Sequence, residues 1–196
     1  PLAFIDTDTM AIKKSQLYSA LWEGCNELRG GMDSSQYKDY VLVILFVKYI
    51  SDKAKKDPDM LISVPEGCSF DDMIALKGKT NIGEEMNKIL AKLADANGLT
   101  GVITNADFAD ENKLGKGKDL IETVSKLIEV FQRDELDFSN NRAADDDLIG
   151  DAYEFLMKNF ASESGKSKGQ FYTPAEVSRI MARVIGINKD DRQMIS

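Results

Sequence analysis

Residues 34–53 read SSQYKDYVLVILFVKYISDK, and this stretch decides the fold. Its apolar run, Tyr40–Val47, is bounded by Asp39 and Lys48. It falls far short of the roughly 20 apolar residues that a membrane-spanning helix requires. Tyr37, Tyr40, Val41, Ile44, Leu45, Val47 and Ile50 instead cover nearly the whole circumference of one helix, capped by Asp33 or Ser34 and running to about Lys56. A helix that is apolar almost all round must be enclosed by neighbours, so the stretch predicts the central element of a helical core.

The neighbours are legible on both sides. Upstream, Leu17, Ala20, Leu21, Cys25 and Leu28 recur at helical spacing, and Gly30-Gly31 stops that helix. Downstream, Pro58, Pro65 and Gly67 mark a loop, after which Ser69 caps a short helix with Asp72 in its first turn. Ile82, Met86, Ile89, Leu90 and Leu93 give a further helix ended by Asn97-Gly98. Segment 99–117 reads as irregular. Ile121, Val124, Leu127, Ile128 and Phe131 then form a helix, and Leu148, Ala152, Phe155, Leu156 and Phe160 form another. Sustained period-two alternation is absent, so strands amount to a minor hairpin at most. The fold class expected is mainly α: a bundle-like helical domain over residues 10–161, a Ser/Gly/Lys-rich linker over 162–169, and a new unit opening at 170–196. Residues 1–9, PLAFIDTDT, carry no apolar period and precede a natural-looking start at Met10; they are expected to be a cloning scar.

Composition narrows the chemistry. The 196 residues carry a formal net charge of −8, and no histidine. The lack of histidine excludes Ser-His-Asp and Cys-His nucleophile systems and histidine-based metal sites. Two cysteines, Cys25 and Cys68, are too few for a disulfide framework, and free thiols without a secretory signal fit a cytoplasmic protein. Residues 134–154 hold eight acidic side chains against Arg142 alone, which accounts for most of the net charge. That run reads as a solvated face plus first-turn acids on the helix at 148–160. Trp22, Tyr37 and Tyr40 read as core residues. Any polyanion would have to meet the locally basic segments 113–118 and 166–168, or a partner subunit.

Segment 164–181, SGKSKGQFYTPAEVSRIM, raises two readings. Gly165-Lys166-Ser167 imitates the end of a phosphate-binding loop, but the first glycine of that motif would fall on Phe160, and a helix precedes it where a strand is required. The nucleotide-loop reading fails. The rest, QFYTPAE, is a well-made helix start: Thr173 at the N-cap, Pro174 at the first helical position and Glu176 completing a capping box. Val177, Ile180, Met181, Val184 and Ile185 give that helix one apolar face. The same residues also suit a binding rim, since a helix N-terminus favours a carboxylate and Phe171 and Tyr172 offer faces for an adenine or a sulfonium. Local physics leaves both readings open.

Residues 147–177, DLIGDAYEFLMKNFASESGKSKGQFYTPAEV, resemble the segment that leads into the catalytic domain of the modification subunit of type I restriction-modification systems. Residues 21–53 resemble the amino-terminal helical region of the same family. The resemblance runs from about Met10 to the end of the chain. It implies a DNA adenine-N6 methyltransferase subunit that uses S-adenosylmethionine, and no metal. Carried over by position, the cofactor-contacting stretch falls on Gln170, Phe171, Tyr172, Thr173, Pro174 and Ala175; the family often has a basic residue in place of Ala175. Implied partners are a specificity subunit, a second copy of the modification subunit, a restriction subunit and duplex DNA, with no membrane. Such subunits continue into an α/β domain with a glycine-rich cofactor loop and an Asn-Pro-Pro-aromatic motif. Neither motif occurs in this chain. No catalytic residue is therefore expected within it, and residues 170–196 are expected to be the first helix of a larger domain. The other reading kept open is a non-catalytic helical module that docks on a partner protein.

Overall fold

The computed structural model describes residues 14–29, 34–57, 60–139 and 148–163, together with Val177, Ile180, Met181 and Val184. Seven α-helices occur between residues 14 and 163, the four later residues are also helical, and no strand occurs among the described residues. The first is α1 (Lys14–Glu27), whose buried face carries Leu17, Ala20, Leu21 and Cys25. The second, α2 (Ser34–Ala54), is the predicted central helix, with Tyr40, Val41, Ile44, Leu45, Val47 and Ile50 all buried. It packs against α1 and against α3, α6 and α7, whose ranges follow. Being enclosed on several sides is what an all-round apolar surface demands.

The short helix α3 (Phe70–Ile74) starts where the sequence predicts. Ser69 accepts from the Asp72 N–H while the Ser69 N–H donates to Asp72 Oδ2 at 2.9 Å, a reciprocal cap that satisfies two otherwise orphan donors. The Phe70 N–H donates to Ser51 Oγ at 2.8 Å, which ties α3 to α2. Helix α4 (Ile82–Asn97) buries Ile82, Met86, Ile89, Leu90 and Leu93 and ends at Gly98 in the left-handed region, φ 66°. At this end Asn97 clasps the preceding loop, accepting from the Ser63 N–H and donating to the Ser63 carbonyl, both at 2.8 Å.

Segment 99–117 holds one unpredicted helical turn, α5 (Glu111–Leu114), started by Asp110, which accepts from the Asn112 N–H at 3.0 Å. The segment is far from loose, because Ile103, Ala106, Phe108 and Leu114 are buried. Tyr40 pins it to α2: its hydroxyl donates to the Asp107 carbonyl at 2.9 Å and its ring meets Phe108 edge-on at 5.1 Å. Helix α6 (Lys118–Phe131) has the most pronounced apolar face of the set, with Val124, Leu127, Ile128 and Phe131 fully buried. Each such side chain contributes about 1.5–3 kcal/mol of transfer free energy. A 3-10 turn, Asp134–Leu136, follows, and α7 (Leu148–Glu163) packs against α1 and α2.

The predicted bundle is therefore present, with two adjustments. Helix α7 runs to Glu163, two residues past the expected end of the helical unit. Trp22, read as core, is only half-buried: it lies on the rim of α1 with the Arg29 guanidinium 4.7 Å from its ring centre, an arrangement that suits an amphipathic ring. Tyr37 and Tyr40 are buried as expected.

Candidate functional site

The most unusual chemistry among the described residues sits inside α2. Lys48 and Asp52 are one helical turn apart, 9% and 3% exposed, with Nζ and Oδ2 separated by 2.6 Å. Desolvating two charges costs several kcal/mol each, so such a pair holds only when further bonds satisfy it. Asp52 gains one from the Phe138 N–H at 3.1 Å, and the Lys48 ammonium also lies 5.3 Å from the Phe70 ring centre. The sequence signal for this pair is faint but present: opposite charges at i and i+4 on a helix that is otherwise apolar.

The pair forms the floor of a cleft of about 380 Å³, walled by Lys55, Arg133, Asp134 and Asp137. Lys55 is engaged by Asp71 at 2.8 Å, and Arg133 pairs with Glu23 on α1. The Asp137 carboxyl is held below the usual carboxylate range, first by its hydrogen bond from Ser139 and then by the Ser139 N–H and the charges of Lys48 and Lys56. Lys48 is thus answered by Asp52 within the cleft, while Lys55 and Arg133 turn to Asp71 and Glu23 outside its lining. Among the described residues no aromatic ring lines the cleft. Two smaller hollows, about 120 Å³ beside the first turns of α4 and α6 and about 170 Å³ between α1 and Leu136, fall below the usual size of a cofactor pocket. Among the described residues, no group of three or more Cys, Asp or Glu side chains could hold a metal ion.

The rim predicted at Gln170, Phe171, Tyr172, Thr173, Pro174 and Ala175 lies outside the described residues, as do Asp145, Asp146 and Asp147 of the acidic run. The helix predicted to follow the rim is represented by Val177, Ile180, Met181 and Val184, all helical. Their spacing places them on one face. All four are exposed, Ile180 at 62% and Val184 at 78%, which leaves an apolar stripe open to solvent. No helix among the described residues is long and apolar enough to cross a membrane.

Comparison with known proteins gives two family matches in tandem. Residues 17–131 match the HsdM N-terminal domain, and residues 144–196 match the N-6 DNA Methylase family. Among curated relatives, the type I restriction enzyme MpnII methylase subunit of Mycoplasma pneumoniae is 29% identical across 87% of this chain and 39% of its own length. The MjaVIII methylase subunit of Methanocaldococcus jannaschii is 29% identical across 92% of this chain and 33% of its own. The chain thus spans between a third and two fifths of these relatives. In three dimensions it resembles the crystal structure of the type I restriction-modification system methyltransferase subunit from Streptococcus thermophilus, with a TM-score of 0.66 at 23% identity, covering 92% of this chain and 46% of that one.

Proposed function

The chain belongs to the HsdM N-terminal domain family, and from that premise we propose that it is the amino-terminal part of the modification subunit of a type I restriction-modification system. The whole subunit would transfer a methyl group from S-adenosylmethionine to the N6 of adenine in duplex DNA, taking the base out of the stack to reach it. A specificity subunit would choose the site, and a second modification subunit and a restriction subunit would complete the assembly in the cytoplasm. The observation that carries this reading is the order of the two family matches: the HsdM N-terminal domain over residues 17–131, then the N-6 DNA Methylase family over residues 144–196.

Within that reading the helical unit clamps DNA and docks subunits, and it contributes no catalytic group. Gln170, Phe171, Tyr172, Thr173, Pro174 and Ala175 would form one wall of the S-adenosylmethionine site, with the aromatic pair facing the adenine or sulfonium and the helix start facing the carboxylate. S-adenosylmethionine supplies the methyl group. The exposed stripe at Val177, Ile180, Met181 and Val184 supports the idea that this helix is the first of a larger domain, because an apolar face at helical spacing is built to be covered. One wall does not make a pocket, so the 196-residue chain alone is expected to bind the cofactor weakly or not at all.

The test is methyl transfer from labelled S-adenosylmethionine to cognate duplex by the full-length subunit with its specificity partner. Label on adenine N6 supports the reading, and no transfer to adenine overturns it. A second reading, a docking module without a cofactor site, draws on the same stripe. Saturable binding of S-adenosylmethionine to the 196-residue chain in calorimetry would rule out a pure docking module, whereas absence of binding fits both readings and leaves the decision to methyl transfer by the full-length subunit.

A further inference from the structure

Helix α7 is claimed by two units. By sequence it lies inside the N-6 DNA Methylase match, which begins at residue 144, and outside the HsdM N-terminal match, which ends at residue 131. By packing it goes the other way. Ala152, Leu156 and Met157 are buried, and the helix is seated on α1 and α2. Along the same contact the Phe155 ring stacks on Tyr18 at 4.5 Å and 3° between planes. Asp151 Oδ2 is sealed from solvent, with Lys14 Nζ 2.7 Å away but off the direction of a hydrogen bond. The lysine of this pair is 47% exposed, and a pair with one solvated partner adds little, so the ring stack and the buried face do most of the fastening.

We propose that α7 is a coupling helix: its sequence opens the methylase portion while its packing makes it a member of the α1–α2 bundle, so that the bundle carries the start of that portion with it. The idea rests on the reading that a methylase portion follows. It also goes beyond that reading, because it says which unit holds the joining helix and through which contact.

Hydrogen exchange on the full 196-residue chain tests this, since amide protection groups residues by the unit with which they open. We expect α7 to exchange in the protection class of α1 and α2. Tyr18→Ala should raise α7 exchange about tenfold, the factor that corresponds to loss of an aromatic stack. It should also shift exchange at 177–184 in the same direction. Phe155→Leu, which keeps apolar volume and removes the stack, should do the same about threefold and serves if Tyr18→Ala fails to fold. The proposal is overturned if α7 exchanges together with 177–184 irrespective of the Tyr18 substitution, or if the change stays confined to α7. Exchange reads no methyl transfer, so a subunit that proved inactive on DNA would still report on α7.

Discussion

Lys48 Nζ and Asp52 Oδ2 lie 2.6 Å apart inside α2, and the same carboxylate accepts the Phe138 N–H from a segment 86 residues further along. The pair therefore joins the central helix to the connection between α6 and α7. Removing Asp52 leaves the Lys48 ammonium buried without the carboxylate 2.6 Å away. Asp52→Ala should cost about 3–5 kcal/mol of unfolding free energy in a urea titration. The double variant Lys48→Met, Asp52→Leu should cost less than Asp52→Ala, since an apolar pair incurs no desolvation penalty; the Phe138 N–H loses its acceptor, and Lys55 loses a 3.8 Å contact but keeps Asp71. A double variant as unstable as the single one would refute this account.

Tyr40 gives a pH dependence of definite sign. Burial, followed by the nearby carboxylates of Asp110, Asp107 and Asp39, pushes its hydroxyl up to about 12 from the ordinary value of 10.0. The fold therefore favours the neutral phenol. Its contribution is complete below pH 10 and is lost as the pH rises from 10 towards 12. Unfolding free energy measured across that interval should fall more steeply for the native chain than for Tyr40→Phe, which has no proton to lose there.

The two buried glycines of α1 and α4 should respond differently to an added methyl. A Cβ at Gly83 would stand 2.4 Å from the Phe108 carbonyl oxygen, which is backbone and cannot yield without moving the loop. Gly83→Ala should destabilise by about 1–3 kcal/mol despite the better helix propensity of alanine. A Cβ at Gly24 would meet side chains alone, the tip of Leu127 at 3.3 Å and Phe131 and Val41 at 3.5 Å, and the Leu127 tip can give by a few tenths of an ångström. Gly24→Ala should change the melting temperature little by comparison.

Asn97 closes the far end of α4 with bonds to Ser63 in both directions and to the Leu93 carbonyl at 2.8 Å. Asn97→Ala should cost about 1–2 kcal/mol. It should also raise proteolytic cleavage within residues 60–64, which these bonds hold down.

What the sequence made legible follows from physics. Apolar spacing located α1, α2, α4, α6 and α7, because a helix that must bury one face announces which face it is. Ser69 and Gly98 were readable as caps, because few residues satisfy a helix end. The turn α5 was not, since four residues carry no period, and the burial of Phe108 depends on a partner, Tyr40, far away in the chain. Trp22 was misplaced because spacing puts a residue on a face without saying how far the neighbouring helix extends over it. The Lys48–Asp52 pair escaped notice for a similar reason: a charge pair on a helix usually faces water, and only the packing of α3 and Phe138 shows that this one does not. The cofactor rim was read from resemblance, since its local pattern also describes an ordinary helix start.

The stack of Tyr18 on Phe155 joins α1 to α7, more than 130 residues further along the chain. During synthesis the ribosome releases Tyr18 long before Phe155, so the inner face of α1 waits for most of the bundle to emerge before that seat is filled. A nascent chain in this state lacks the cover that α7 gives α1, and truncated products should be the species that chaperones retain.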